Sequence, residues 1–381
     1  MKLGKRLLCV LLSVSLLWAV PVGASALSEE EIPAPAAVLM HADSGKVLFE
    51  KNAHEVRECA SITKVMTLLL VMEALDSGKI SLEDTVTASE HASSMGGSDI
   101  WLEPGETMTV DEMVKATVVA SANDAAVALA EHISGTEEAF VEEMNRRAAE
   151  LGMQETVFKN CNGLDEEGHV TSAYDVALMS RELMKHEKIF DYTGIWMDTL
   201  RGGKTQIVNT NKLLKSYKGI TGLKTGTTGK AGSCITATAE RDHLKLIAVT
   251  LGSATGKERF QAAATLLDYG FANYTVHVPA LPEEGLNPVQ VTNGMQPQVS
   301  PRAELGESVL IPKGRENEIQ SEIELAESVE APVEEGQALG KIIYKLDGET
   351  LAEYPILSAA PVEKLSFFGA FRLLLDQLFT L

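Results

Sequence analysis

The stretch ECASITKVMTLLLVMEALDSG, Glu58–Gly78, has the composition of a buried helix with two polar side chains at its start. Apolar residues fill almost every position after Ser61, and a helix that is apolar all round is usually buried. A lysine at the fourth position of such a helix is unusual, because the positive end of the helix dipole disfavours a cation. The stretch predicts a buried helix from Ser61 to Gly78 and leaves the role of Lys64 to be explained.

The pair formed by Ser61 and Lys64 has two interpretations. In the first, the serine caps the helix and the lysine extends to solvent. In the second, the amine takes a proton from the hydroxyl, since residues three apart on a helix have Cβ atoms about 5–6 Å apart. Burial and the helix dipole would both lower the pKa of the lysine and make it a usable base. The choice between these interpretations depends on the rest of the chain.

The N-terminus predicts an exported protein. Three cations, Lys2, Lys5 and Arg6, precede an apolar run over residues 7–20, and small residues at 24–26 are typical of a cleavage site. This is the pattern of a secretory signal peptide, not of a membrane span. Cleavage after residue 26 leaves 355 of the 381 residues, enough for about two domains.

Charge and cysteine content exclude several classes of function. Cleavage removes three cations and no acid, so the net charge changes from −21 to −24, which disfavours nucleic acid and anionic lipid as partners. Three cysteines remain, Cys59, Cys161 and Cys234. Because their number is odd and no CxxC motif occurs, a disulfide framework or a zinc cluster is not expected. The sequence therefore predicts no metal, no cofactor and buried thiols.

The periodicity divides the chain into two folded regions. The first has a predicted hairpin around Asp43–Gly45, an antiparallel strand pair around residues 241–243, and a series of helical patterns: 109–120, 124–133, 137–151, 173–185 and 262–269. After about residue 276, short β-rich pieces alternate with Pro, Gly and acidic turns, which indicates a small all-β domain. The predicted division is a signal peptide, a main domain, a β-rich domain and a terminal helix, at residues 1–26, 27–275, 276–361 and 362–381.

Three short motifs occur in a fixed order. Ser61-x-x-Lys64 is followed 60 residues later by Ser121-Ala-Asn123, and Lys224-Thr-Gly lies 103 residues after Ser121. Taken singly, the second motif could cap a helix and the third could form a glycine-rich turn. Together, in this order, they form the signature of class A β-lactamases and penicillin-binding proteins.

With these motifs, the chain resembles the D-alanyl-D-alanine carboxypeptidases of peptidase family S11, the low-molecular-mass penicillin-binding proteins, over almost its whole length. MGGS at 95–98 and FKNCNGLDEEGH at 158–169 extend the resemblance, although the family usually has proline where this chain has Cys161. The resemblance implies an α+β fold in which helices pack on an antiparallel sheet, with the active site between them. A small all-β domain and a C-terminal amphipathic helix would follow.

The resemblance also implies a role for each motif residue. Ser61 would be the acylated nucleophile, Lys64 its base and Ser121 a relay of protons toward the leaving group. Substrate binding would fall to six residues: Asn123, Lys224, Thr225, Gly226, Thr227 and Arg259.

Elementary chemistry agrees with these implied roles. Acyl transfer needs a nucleophile, a base and donors for the oxyanion, here the N–H groups of Ser61 and Thr227. Lys224 and Arg259 would supply positive charge for a substrate carboxylate, and Lys224 would help to keep Lys64 neutral by repulsion.

The implied activity is removal of the terminal D-alanine from the peptidoglycan stem pentapeptide, with β-lactams as covalent inhibitors. A D,D-endopeptidase or transpeptidase would use the same residues, so these alternatives stay open. A β-lactamase needs a deacylating glutamate in Glu-x-x-Leu-Asn between the second and third motifs, and the matching string, residues 283–287, follows Lys224 instead. A non-catalytic peptidoglycan-binding module would have no use for Lys64.

The C-terminus, VEKLSFFGAFRLLLDQLFTL at 362–381, predicts an amphipathic helix with four phenylalanines on one face. Arg372 and Asp376 would lie inside any membrane span, which argues against one. We expect the helix to hold the protein on the outer face of the cytoplasmic membrane by apolar insertion. The alternative is a helix docked on its own β domain or on a partner.

Overall fold

The computed structural model describes residues 27–282, 285–306 and 308–372. The predicted signal peptide and the last nine residues of the predicted terminal helix lie outside the described residues.

The main sheet has five strands in the order β2-β1-β9-β8-β7, and every neighbouring pair is antiparallel. The predicted hairpin forms β1 and β2, and the predicted strand pair forms β8 and β9. Two short two-stranded sheets, β3–β4 and β5–β6, are separate from this main sheet. The strands are β1 (Ala36–His41), β2 (Val47–Lys51), β3 (Thr85–Thr87), β4 (Thr107–Thr109), β5 (Met197–Leu200), β6 (Thr205–Val208), β7 (Ile220–Thr228), β8 (Gly232–Arg241) and β9 (Leu244–Ser253).

Helices cover both faces of this sheet because β1 and β9 are apolar on both sides. Val38 and Met40 of β1 belong to the large core shared with most of the helices. Ala37 and Leu39 point the other way and pack in the core that contains the last helix of the region. The helices are α1 (Lys64–Asp76), α2 (Glu90–Ser93), α3 (Val110–Lys115), α4 (Asn123–Ser134), α5 (Glu137–Glu150), α6 (Ala173–Leu183), α7 (Phe190–Thr193), α8 (Leu213–Ser216) and α9 (Gly256–Asn273).

The helix predicted from Ser61 to Gly78 is buried, but its first turn is not α-helical. Residues Ala60–Thr63 form a 3₁₀ turn, and α1 begins at Lys64. Ser61 therefore lies inside the turn, and its hydroxyl caps neither the turn nor the helix. The interpretation of Ser61 as a helix cap is wrong, and so is that of Lys64 as a solvent-seeking side chain, because Lys64 is fully buried.

Helix α9 is longer than the predicted helix over 262–269. It begins after Thr255, whose hydroxyl accepts a hydrogen bond from Glu258 N–H while the Glu258 carboxylate accepts one from Thr255 N–H. This capping box stabilises a polar first turn that hydrophobic periodicity alone did not reveal.

The chain after α9 consists of short strands, as predicted. Strand β10 pairs with β14; β12, β11 and β16 form a second sheet; and β13, β18, β17 and β15 form a third. Apolar side chains of the second and third sheets make a separate core around Val289, Ile342 and Ile356, whereas Tyr274 and Val276 of β10 and Leu310 of β14 pack against the core that contains α9. The strands are β10 (Tyr274–His277), β11 (Val289–Thr292), β12 (Gln298–Val299), β13 (Pro301–Ala303), β14 (Val309–Pro312), β15 (Gln320–Leu325), β16 (Ser328–Glu330), β17 (Ala338–Leu346) and β18 (Glu349–Ser358).

Candidate active site

The three sequence motifs meet where the 3₁₀ turn before α1 packs against β7. Ser61 lies in that turn, Lys64 begins α1, and Ser121 and Asn123 lie at the start of α4. Lys224 to Thr227 form the middle of β7. The structure thus brings together residues that are 60 and 103 positions apart in the sequence.

The Lys64 amine has three oxygen neighbours within hydrogen-bonding distance. Its Nζ lies 3.1 Å from Ser61 Oγ, 2.5 Å from Asn123 Oδ1 and 2.6 Å from the Asn162 carbonyl oxygen. A neutral amine has two N–H groups and one lone pair. If the two N–H groups donate to Asn123 and Asn162, the lone pair is left to accept the proton of the Ser61 hydroxyl.

Burial is the main reason why Lys64 can act as a base. Desolvation lowers the pKa of Lys64 to about 7, against the opposing effects of Cys161, Asp99 and Asp124. A large fraction of the side chain is therefore neutral near physiological pH. The burial of Lys64 and its lowered pKa agree with the prediction from the sequence.

The repulsion expected between Lys64 and Lys224 lowers the pKa of Lys224, whereas the pKa of Lys64 is lowered by burial and not by Lys224 as predicted. Burial, followed by the charges of Lys64 and Arg259, holds the pKa of Lys224 well below its ordinary value. A substrate carboxylate near Lys224 would favour its charged form again.

Ser121 is fixed in an unusual backbone conformation. It follows a π-helical turn, Ala116–Ala120, and has φ 60° and ψ 30°, which non-glycine residues adopt rarely and often at functional sites. Its Oγ accepts a hydrogen bond of 2.7 Å from Lys224 Nζ. The turn thus directs the Ser121 hydroxyl into the cleft beside the β7 lysine.

Asn123 and Asp124, at the start of α4, hold the chain between Gly96 and Leu102 against the site. The Asn123 Nδ2 donates to the Gly96 carbonyl at 2.7 Å, and the buried Asp124 carboxylate accepts from the N–H groups of Ile100 and Leu102. The side-chain oxygen of Asn123 already binds Lys64, so this residue connects the base to the wall of the cleft.

Gly226 allows β7 to approach the nucleophile. A Cβ at this position would lie 2.7 Å from the Cys59 carbonyl oxygen and 2.9 Å from Ser61 N. No larger residue fits without displacing backbone, so the glycine of the third motif is a packing requirement. The close approach also brings the β7 segment before Thr227 beside the Ser61 N–H, as an oxyanion site formed by these two N–H groups requires.

Arg259, in the first turn of α9, forms hydrogen bonds with the end of the third motif. Its Nη1 donates to the Gly226 carbonyl at 2.9 Å and to Thr227 Oγ1 at 2.7 Å. Thr225 Oγ1 also donates to Thr210 Oγ1 at 2.7 Å, so Arg259 and Thr210 both fix the third motif through side-chain hydrogen bonds.

Sequence reasoning missed two contributors to the site, Asn162 and Thr210. Asn162 contacts Lys64 only through its backbone carbonyl, a group that every residue type has. Thr210 precedes α8 in a polar segment without a motif. Neither could be found without knowing which parts of the chain lie beside Lys64 and Thr225.

The three cysteines Cys59, Cys161 and Cys234 are buried and free. Burial raises the pKa of Cys59 to about 12 and that of Cys234 to about 11. Burial and the neighbouring Glu137 carboxylate also raise the pKa of Cys161 well above its ordinary value. These thiols stay protonated, so Cys59 is a poor nucleophile although it lies two residues before Ser61.

Comparison with known proteins identifies the family. The sequence model described as D-alanyl-D-alanine carboxypeptidase, peptidase S11, matches residues 23–255, and that described as the C-terminal domain of penicillin-binding protein 5 matches residues 283–364. The chain is 47% identical over 344 residues to D-alanyl-D-alanine carboxypeptidase DacF of Bacillus subtilis. The matched region covers 89% of this chain and 88% of that protein. It is 34% identical over 355 residues to DacC of Escherichia coli, with coverage of 90% and 88%.

Solved structures agree with this assignment and confirm the predicted fold class. Penicillin-binding protein 5 from Haemophilus influenzae superposes with a TM-score of 0.76 at 32% identity, covering 89% of this chain and all of that one. Penicillin-binding protein D2 from Listeria monocytogenes, in its ampicillin-bound form, has a TM-score of 0.59 at 32% identity and covers 64% of this chain and all of that one. The chain therefore belongs to the D-alanyl-D-alanine carboxypeptidases of peptidase family S11.

Proposed function

We propose that this protein removes the terminal D-alanine from peptidoglycan stem pentapeptides through an acyl-enzyme on Ser61, and that β-lactams acylate the same oxygen. The observation that carries the proposal is the 3.1 Å contact between Ser61 Oγ and the fully buried Lys64 amine. Both N–H groups of that amine, when neutral, have acceptors, and its pKa is lowered to about 7.

Acylation follows from this arrangement. Lys64 Nζ takes the proton of Ser61, and Oγ attacks the carbonyl carbon of the D-Ala–D-Ala bond. The N–H groups of Ser61 and Thr227 stabilise the oxyanion. The tetrahedral intermediate collapses when the proton taken up by Lys64 passes through Ser121 to the leaving amine, which releases D-alanine and leaves Lys64 neutral. Water then attacks the ester with Lys64 as base, which returns the proton to Ser61 Oγ.

The terminal carboxylate of the substrate would bind along β7. Lys224 and Thr225 provide a cation and a hydroxyl, and Gly226 leaves room for the peptide. Arg259 acts by holding Gly226 and Thr227 in place, while adding positive charge to this end of the cleft. Asn123 would bind the amide on the opposite side.

A stem-pentapeptide assay tests the reaction type. We expect the purified protein to release one D-alanine per pentapeptide, seen by HPLC and mass spectrometry as a tetrapeptide product. Cleavage of a cross-linked dimer without loss of the terminal residue would favour the endopeptidase, and formation of a longer cross-linked product would favour the transpeptidase. An unchanged pentapeptide would contradict the proposed function.

The β-lactamase alternative lacks structural support. Leu286, within the Glu-x-x-Leu-Asn string at residues 283–287, packs against the core of the β-rich region. That core contains Val289 and Ile342 and is separate from the cores around β7 and α1. The glutamate of the string, Glu283, lies outside the described residues, so the case against a β-lactamase rests on the position of Leu286 and on the order of the string after Lys224.

We also propose the domain division derived above, with a cleaved signal peptide at 1–26, a catalytic domain at 27–275 and a β-rich domain at 276–361. Segment 362–381 would then anchor the exported enzyme to the outer face of the cytoplasmic membrane. Three phenylalanines support this: Phe367 and Phe368 are each 82% exposed and Phe371 is 56% exposed. No helix among the described residues is long and apolar enough to cross a membrane.

Removing residues 367–381 should release a soluble enzyme from membranes. The cut keeps the backbone bonds from Met295 N–H to the Glu363 carbonyl and from Leu365 N–H to the Asn293 carbonyl, so the β-rich region stays closed. Membrane fractionation of the full chain, the truncated chain and a triple variant, Phe367→Ser, Phe368→Ser and Phe371→Ser, measures the effect. Both changes should move the enzyme to the supernatant with penicillin binding intact. Release of the unchanged protein by 1 M salt alone would contradict apolar anchoring.

A further inference from the structure

The Lys64 base depends on a backbone carbonyl whose position is set by a second group of residues. We call residues 160–163 the Asn162 loop; it includes Cys161 and supplies the carbonyl that binds Lys64 Nζ at 2.6 Å. The loop presses against the turn that carries the nucleophile. A Cβ at Gly163 would lie only 2.0 Å from the Ala60 carbonyl oxygen, so a small displacement of the loop changes the geometry around Ser61.

Two elements hold the Asn162 loop. On the α1 side, Thr67 Oγ1 donates to the Cys161 carbonyl at 2.5 Å, one turn after Lys64. On the other side, the Cys161 N–H donates to Oε1 of Glu137 at 2.9 Å. The second carboxylate oxygen of Glu137 lies 2.7 Å from His91 Nε2. The loop is thus fixed between α1 and the start of α5.

The Cys161 N–H bond is specific to the residue found here. A proline at this position would have no N–H to donate. In this chain the restriction that a proline ring would impose on the backbone is absent. A hydrogen bond to a buried carboxylate stands in its place, and such charge-assisted bonds are stronger than neutral ones.

We propose that Glu137 is a positioning residue for catalysis, which fixes the Asn162 carbonyl through the Cys161 N–H and so directs the Lys64 lone pair at Ser61 Oγ. This inference rests on the proposed role of Lys64 as base. Glu137 is almost fully buried at the first position of α5, where a carboxylate is also favoured by the helix dipole. The hydrogen bond to the Cys161 N–H depends on the position of the carboxylate, and the interaction with the helix dipole depends on its charge. Different substitutions of Glu137 therefore remove one contribution or the other.

Two substitutions separate these contributions. Glu137→Asp keeps the charge at the start of α5 but withdraws the carboxylate by about 1.5 Å, one carbon–carbon bond, so that it no longer reaches the Cys161 N–H. Glu137→Gln removes the charge but keeps an acceptor oxygen at the same distance. Glu138→Asp is the matched control, because Glu138 is the next residue of the same helix turn and is exposed.

Stopped-flow acylation by a fluorescent penicillin gives the acylation rate constant and the non-covalent dissociation constant separately. We expect Glu137→Asp to lower the rate constant about 10- to 100-fold, the scale on which a misplacement of about 1 Å acts, with little change in the dissociation constant, since β7 is untouched. Glu137→Gln and Glu138→Asp should acylate at close to the rate of the unchanged protein. Thermal unfolding monitors the fold of each variant.

The results of this experiment distinguish failure of the Glu137 inference from failure of the proposed function. If the unchanged protein is not acylated on Ser61, the role of Lys64 fails first. If it is acylated and Glu137→Asp reacts as fast as Glu138→Asp, Glu137 has no positioning role. A loss in Glu137→Gln with none in Glu137→Asp would show that the charge, not the hydrogen bond, matters, and would also overturn the inference. A lowered melting temperature with an unchanged rate constant would make the residue structural only.

Discussion

Replacing Ser61 by alanine is expected to abolish both covalent labelling by penicillin and release of D-alanine. The hydroxyl is the atom that would carry the acyl group, and no other group takes its place: the nearby Cys59 is buried, with its pKa raised to about 12. Removal of one oxygen from a partly exposed side chain should leave the fold intact. Gel fluorescence with a labelled penicillin and mass spectrometry of the adduct measure the result.

Cys59→Ala is the control for the Ser61 experiment, and it should still be labelled. Thermal unfolding of both variants shows whether loss of labelling reflects loss of fold. The assignment of the nucleophile is falsified if the adduct of the unchanged protein maps to Cys59 or to any residue other than Ser61.

The second large effect is expected for Lys64→Arg. The substitution keeps a positive side chain, but arginine stays protonated under all accessible conditions and cannot accept the Ser61 proton. Because general-base catalysis typically contributes 10²–10⁴-fold, acylation by penicillin should fall by about that factor. Lys79→Arg, an exposed position soon after the end of α1, is the matched control and should acylate normally.

The pH dependence of acylation provides a second measure of the same role. Burial lowers the pKa of Lys64 to about 7, and the neutral form is the base. The rate for the unchanged protein should therefore rise with pH through about 7 and level off above it, and Lys64→Arg should lack this rise. Equal rates for Lys64→Arg and the unchanged protein, or a rate that falls as pH rises through 7, would remove Lys64 from the role of base.

Hydrophobic patterning predicted the main elements of the fold within a few residues. Helices α4, α5 and α6 and the strands β8 and β9 begin and end within two residues of the predicted positions, because each has one continuous apolar face or run. The predictions failed where the signal was polar or local. The first turn of α9 has the Thr255 capping box, and the turn before α1 is 3₁₀.

The sequence by itself determined the chemistry of the site. A serine and a lysine three residues apart at the start of an apolar helix place a hydroxyl close to a buried amine, and together with the other two motifs they support the proposed roles of nucleophile and base. The order of the three motifs was sufficient to predict the family. Each of these properties depends on residues that are close in the chain or on residue type, which is what a sequence records.

Only the tertiary structure decided how the base is directed. The Asn162 carbonyl and the Glu137 carboxylate come from segments 98 and 73 residues away from Lys64, as their positions in the chain show. A backbone carbonyl has the same chemistry at every position, and a glutamate at a helix start is commonplace. Their roles arise from the packing of α1, α5 and β7 around one buried amine, where a few hydrogen bonds fix which way its lone pair points.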